Sequence, residues 1–274
     1  MKMRLVTILV LITVFLFGCG KVEKEENPYR LKTQILEYYL DDETQTTRTE
    51  YAYDENGYLT ETQTFYNDEW WYTTQFNLDT NGNTLSSETN YADGTKIKEN
   101  VLTRDDQGRM ITSEKYLNGH LDTTTEYGYN EDGQITKRYS TYIDILKDED
   151  WVCYVEMTYD HKGNLIREDN RWEPANNNSY TLFFYEKDRL IRKELYCGDR
   201  LDSYTEYTFS ENGLVQTAIG KNMNGVPQSK HITTFDEYDN PLEVVAYASK
   251  QVRIDELGAK PDSRTINVYE PIQS

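Results

Sequence analysis

Alternation of apolar and polar positions runs through most of this chain with a period of two, and it is interrupted at regular intervals by glycine-containing turns. In residues 123–142, Thr125, Tyr127 and Tyr129 project from one side of an extended chain and Thr124, Glu126 and Gly128 from the other. Asn130-Glu131-Asp132-Gly133 then supplies a turn, in which Asn and Asp can bond their own backbone and Gly can take positive φ. Residues 134–142 return as a second strand. The same unit reads Tyr51, Tyr53, Asp54-Glu55-Asn56-Gly57, Leu59, Phe65 in an earlier copy, and Met157, Tyr159, Asp160-His161-Lys162-Gly163, Leu165 in a later one.

Gly57, Gly82, Gly108, Gly133, Gly163 and Gly213 mark six such turns, and Asp188 and Asp239 stand where two further glycines would fall. The spacings along this series are 25, 26, 25, 30, 25, 25 and 26 residues, which predicts eight hairpins over residues 47–250. A second set of turns, Asp93-Gly94, Asn118-Gly119, Gly198-Asp199 and Asn224-Gly225, falls 10 to 12 residues after the main ones and leaves about eight residues per strand. Sixteen antiparallel strands follow, with Leu31–Leu40 and Thr265–Tyr269 predicted as capping strands that protect the two edges. The fold class expected is all-β: an antiparallel meander of about eight hairpins in one twisted sheet, spiral or barrel-like, rolled so that its more aromatic face is covered. A membrane-spanning barrel is disfavoured, because Thr, Glu, Gln and Lys interrupt the apolar band that its outer face requires.

The first 18 residues break the pattern. Lys2 and Arg4 precede thirteen mostly apolar residues, Leu5 to Phe17, as in a secretory signal and too short for a membrane span of about 20 residues. Leu16-Phe17-Gly18-Cys19 resembles the lipobox of bacterial lipoproteins, which implies acylation of Cys19 as the mature N-terminus, a flexible tether over 19–30 and a folded domain over 31–274. The expected address is the bacterial cell envelope, outside the cytoplasm.

Without that segment, 27 basic residues face 48 acidic ones, a formal charge of −21 that repels phosphate backbones and argues against nucleic-acid partners. Twenty-four tyrosines and few helical patterns favour strands. Cys153 and Cys197 are expected three strands apart, about 14 Å, too far for a disulfide, so both are predicted free.

At this point Tyr53-Asp54-Glu55-Asn56-Gly57-Tyr58-Leu59-Thr60, Tyr129-Asn130-Glu131-Asp132-Gly133-Gln134-Ile135-Thr136 and Tyr159-Asp160-His161-Lys162-Gly163-Asn164-Leu165-Ile166 resemble the YD repeat of Rhs proteins over about 200 residues. The resemblance implies a long spiralling β-sheet and an association with carbohydrate binding. Encapsulation of a cargo domain is not carried over, since the chain is too short to enclose one.

Candidate chemistry is sparse. Asn77-Leu78-Asp79-Thr80-Asn81-Gly82 with Glu88 nearly matches a calcium loop but coincides with the second repeat turn. His120, His161 and His231 are scattered, with His120 and His161 expected on opposite sheet edges. No catalytic signature appears, and carboxylate pairs are too plentiful among 48 acids to be informative, so neither enzyme activity nor a metal or cofactor is expected. Two aromatic clusters stand out as candidate binding residues: Trp70, Trp71 and Tyr72, and Phe183, Phe184 and Tyr185. The function this predicts is a lipid-anchored binding module for carbohydrate or an envelope protein. The alternatives are a structural or protective partner acting by β-edge pairing and a glycan hydrolase.

Overall fold

The computed structural model describes residues 29–40, 43–144, 149–175, 177–248 and 261–272. It contains eighteen strands: β1 (Tyr29–Leu40), β2 (Glu43–Tyr53), β3 (Leu59–Tyr66), β4 (Glu69–Leu78), β5 (Thr84–Tyr91), β6 (Lys96–Arg104), β7 (Met110–Leu117), β8 (His120–Tyr129), β9 (Ile135–Asp144), β10 (Glu149–Tyr159), β11 (Leu165–Glu173), β12 (Asn177–Glu186), β13 (Arg189–Cys197), β14 (Arg200–Phe209), β15 (Val215–Asn222), β16 (Pro227–Phe235), β17 (Pro241–Ala248) and β18 (Ser263–Pro271). Each pairs antiparallel with its sequence neighbours, and β1 also pairs with β18 over nine residue pairs from Tyr29–Pro271 to Tyr38–Ser263. The result is a closed up-and-down barrel. The end strands expected to cap two edges abolish the edges by bonding to each other, because an unpaired edge leaves a row of backbone donors and acceptors without partners. The predicted tether also ends two residues early, since Tyr29 and Arg30 already belong to β1.

Five of the eight main turns share one construction. In the first, the Asp54 amide donates to the Tyr58 carbonyl (2.9 Å) and the Gly57 amide to the Asp54 carbonyl (3.0 Å). The Asp54 carboxylate accepts the amides of Asn56 and Tyr58 at 2.9 and 2.8 Å. Asp79, Asp105, Asp160 and Asp236 repeat this double acceptance. Gly57 sits at φ 83°, a region costly for residues bearing a Cβ. Asp239 holds the equivalent place at φ 63°, as its position in the glycine series implies. Asp188 also has positive φ, but with Lys187 it forms a two-residue turn instead of the longer one.

Where a tyrosine ends the strand before a main turn, it has a task of its own. The hydroxyls of Tyr53, Tyr129, Tyr159 and Tyr185 donate to the carbonyls of Leu31, Met110, Ile135 and Leu165, at 2.7, 2.7, 2.8 and 3.0 Å. Each acceptor lies at or near the start of the preceding strand, so each tyrosine ties one hairpin tip to the hairpin before it. Tyr269 does the same to Pro241 at 3.2 Å, and Arg104 reaches Thr84 in the copy where arginine replaces tyrosine.

Register divides the wall into two faces. One carries the opposed pairs Thr49–Thr64, Thr74–Thr89, Thr125–Ser140 and Tyr207–Ala218. Every buried strand residue among those described lies on it: Thr64, Ser113, Thr123, Ser140, Cys153, Val155, Ala218 and Thr233. Side chains converge on the inside of a curved wall and diverge on the outside, so this is the lumenal face. Its hydroxyls bond to each other across strands, at 3.0 Å for Thr49–Thr64 and 2.8 Å for Thr74–Thr89. The expectation of a covered aromatic face is corrected here. Only three apolar residues are buried among those described, Cys153, Val155 and Ala218. Eighteen strands at roughly 4.8 Å make a wall about 86 Å around, too wide for side chains to fill.

The outer face is charged. Arg167 pairs with Asp169 at 2.6 Å, Arg264 with Glu243 at 2.5 Å, and Arg192, Glu194, Glu206 and Lys221 form a linked set at 2.5–3.2 Å. Arg48, Arg171 and Arg192 also lie over the rings of Phe65, Tyr154 and Tyr204 at 4.2–4.3 Å. A lipid-facing barrel needs an apolar band at these positions, and ion pairs and glutamates occupy them instead.

Candidate functional site: the aromatic rim and the lumen

Strand direction gives the barrel two unlike ends. The aspartate turns gather at one end, and β1 begins and β18 finishes there. The shorter turns between repeats gather at the other, among them Asn67-Asp68 and Asn118-Gly119, whose residues all have positive φ. That second rim is aromatic. Trp71 lies 6.1 Å from Tyr66, 5.1 Å from Tyr72 and 6.4 Å from Tyr91, and Tyr72 lies 5.0 Å from Tyr91, all measured between ring centroids. These residues end β3, begin β4 and end β5, so short turns bring them together. Trp70 points to the outer face opposite Phe65; it is 46% exposed, and its indole N–H donates to the Thr73 hydroxyl at 3.0 Å. Further round the same rim, Tyr142 stacks on Trp172 at 5.5 Å and 27°, with Trp151 opposite Tyr142 in the ladder.

The two predicted aromatic clusters do not form one site. Trp70, Trp71 and Tyr72 begin β4 at the aromatic rim, whereas Phe183, Phe184 and Tyr185 end β12 near the aspartate rim, eight strands away. Within the second cluster Tyr185 is engaged in its tie to Leu165, Phe183 faces the lumen beside Lys193, and only Phe184 is exposed, at 40%. Sequence reasoning missed Tyr66, Tyr91, Tyr142, Trp151 and Trp172. Their signal was available as aromatic residues at strand ends beside the turns between repeats, but it needed the closed barrel to show that those ends share a rim.

Titration behaviour separates the two faces. Burial within the lumen pushes Tyr207 up to about 12 and raises Tyr51 and Tyr127. On the outside, Tyr116 and Tyr196 are raised chiefly by hydrogen bonds to Glu114 and Glu194. His231 is open to lumenal water yet walled in by protein; desolvation, and then the nearby Lys193, lowers its pKa and keeps the imidazole neutral. His120 begins β8 at the aromatic rim and His161 sits in an aspartate turn, so the three histidines do not meet. The calcium-like stretch is a hairpin: Asp79 caps its own turn through Asn81 and Asn83, and Asn77 and Glu88 oppose Ser86 and Gln75 in the ladder. Cys153 on β10 and Cys197 on β13 are three strands apart and both are free thiols. Cys19, expected to be acylated, and the expected signal segment lie outside the described residues.

No family model and no curated protein matches the chain. Among solved structures it is similar to a porin-like protein from Bacteroides uniformis ATCC 8492, at 12% identity over 88% of this chain and 98% of that one with a TM-score of 0.45. A porin-like protein from Bacteroides vulgatus ATCC 8482 is similar at 13% identity over 89% of this chain and 100% of that one, with a TM-score of 0.47. Likenesses this loose carry no argument, and the assignment of barrel faces rests on the chain's own register.

Proposed function

We propose that this protein is a short, lipid-anchored member of the YD-repeat family in the bacterial cell envelope, binding glycan at the aromatic rim of its barrel. The observation that carries the reading is the position of the Trp71, Tyr66, Tyr72 and Tyr91 rings, with Trp70 exposed beside them, on the end opposite to that where β1 begins. A chain acylated at Cys19 would reach the barrel ten residues later at the aspartate rim, leaving the aromatic rim facing away from the membrane. Rigid rings at an open mouth suit the apolar faces of sugars, and hydroxyl-lined walls suit their polar edges. The YD resemblance is supported by the division of labour within the motif, in which Tyr ties hairpins, Asp caps the turn and Gly turns the chain.

Two alternatives lose ground on geometry. Partnering by β-edge pairing needs a free edge, and among the described strands closure leaves none. A glycan hydrolase acting within the lumen would need two carboxyl groups about 5–9.5 Å apart, whereas away from the rims the lumenal ladder of described residues presents Glu99 on β6 and Glu168 on β11, five strands from each other. A glycan array probed with the wild-type protein and a Trp70→Ala/Trp71→Ala variant tests the proposal. Binding lost in the variant is the expected result; co-purification of one envelope protein with no glycan bound would refute it.

A further inference from the structure

In a chain with 48 acidic and 29 basic residues, the lumen holds two cations that, among the described residues, no carboxylate pairs with. Arg138 faces inward on β9 opposite Tyr127 and Val155, and Lys193 faces inward on β13 opposite Phe183 and Thr205. Both are exposed to lumenal solvent, and among the described residues neither has a carboxylate within ion-pairing distance. Outer-face arginines at comparable mid-strand positions, Arg48, Arg167, Arg192 and Arg264, pair with a carboxylate, which sets Arg138 apart; among the described residues the outer-face lysines Lys98 and Lys230 are, like Lys193, outside ion-pairing distance of one. Away from the rims the lumenal ladder of described residues carries Lys115, Arg138 and Lys193 against Glu99 and Glu168, the reverse of the balance of the whole chain. Lys115 is matched by Asp122 at 3.8 Å, while Arg138 and Lys193 have no such partner and Glu99 and Glu168 lie outside ion-pairing distance of both.

Unpaired cations of this kind cost less in a water-filled channel than in a dry core, and they make the potential positive along their own stretch of wall, where they attract anions. Around them the wall is hydroxyl-rich, through Ser140, Thr125, Thr181 and Thr205, and His231 near Lys193 stays a neutral hydrogen-bonding group. A ligand matched to this lining carries both carboxylates and many hydroxyls.

We infer that the lumen receives an acidic glycan, with Arg138 and Lys193 binding its carboxylates and the Thr and Ser wall its hydroxyls. This deepens the glycan-binding reading and rests on it for the ligand class, while placing the selectivity in the lumen instead of at the rim. The probe is hexagalacturonate, set against its fully methyl-esterified form, which keeps the shape and loses the charge. The acid should bind at least about tenfold more tightly than the ester and weaken as salt rises. Arg138→Gln and Lys193→Gln should each reduce the acid's affinity about tenfold and leave the ester's unchanged, while Arg138→Lys retains most of the binding. Both side chains are solvent-exposed, and an unchanged thermal melt checks that each variant is folded.

Equal affinity for acid and ester, or acid binding that survives both Gln substitutions, overturns the inference. So does poly-glutamate binding as tightly as the hexasaccharide, which would make the lumen a site for acidic peptides. Neutral glycans bound through Trp70 and Trp71 without preference for acids would leave the rim reading standing and remove this one. Acid binding lost in the Gln variants but intact in Trp70→Ala/Trp71→Ala would do the opposite.

Discussion

The two ends of the barrel are built from the same hairpins and have become different objects. At the aspartate rim the copies agree closely: carboxylates cap amides, tyrosine hydroxyls hold neighbouring carbonyls, and Arg30 and Arg109 pack over the rings of Tyr53 and Tyr129 at 4.4 and 4.5 Å. Polar groups there are occupied with one another. At the aromatic rim the turns vary in length and residue type, and the strand ends carry Trp and Tyr rings whose contacts are with other rings. Where the repeat is faithful its side chains hold the wall together, and where it diverges they are free to meet a ligand.

That contrast presupposes a closed wall, and the most decisive test is all-or-none. Gln34 on β1 and Asn267 on β18 are direct partners whose side chains bond at 3.0 Å. A Gln34→Cys/Asn267→Cys variant should form a disulfide under mild oxidation, read by intact mass; in an open ribbon these strands would be its two far edges and the link would not form. The next effect is on binding. Trp70→Ala/Trp71→Ala should lower glycan affinity tenfold or more, about 1.4 kcal/mol, with only a small drop in melting temperature from the lost Trp71 ring contacts, whereas Phe184→Ala near the opposite rim should leave affinity unchanged.

The aspartate rim should answer in the reverse sense, with stability changed and binding kept. Gly57→Ala meets no atom within 4 Å of the added methyl, so its cost is conformational, about 1–2 kcal/mol in thermal or urea unfolding. Tyr159→Phe removes one tie between hairpins and should cost about 1 kcal/mol, with glycan binding intact. The smallest effect is that of pH. Hydrogen bonds, first from the Asn83 and Asn164 side chains and then from backbone amides, hold the Asp79 and Asp160 carboxyls below the usual range. A lowered folded pKa contributes stability that is complete above the unfolded value and is lost as pH falls through the folded one, so melting temperature should drop below about pH 4. Asp160→Asn should flatten part of that acid limb; a limb of unchanged depth would show that the turn carboxylates are not its source.

Much of the wall was legible in advance. The glycine series located the main turns, Asp239 included, and the alternation around Thr125, Tyr127 and Tyr129 assigned residues to one face correctly. The candidate site was legible only in part. Trp70 and Trp71 lie on the rim where their neighbours gather, but Phe183 to Tyr185 drew attention for the same compositional reason and stand at the other end, one of them tied to Leu165. Local sequence says that a residue is aromatic and near a turn. It does not say which turns share an end with it.

The chain by itself determined the hairpin, its length, its turn chemistry and the alternation of its faces, because these depend on residues a few positions apart: Asp54 with Tyr58, Gly57 with its own φ. Tertiary structure alone decided that β1 meets β18 across more than two hundred residues, that the Thr-bearing face turns inward, and that Arg138 and Lys193 share a lumen. Closure depends on twist and curvature summed over eighteen strands, a quantity no single repeat contains, and the sense of that curvature is what makes one face of every hairpin the inside.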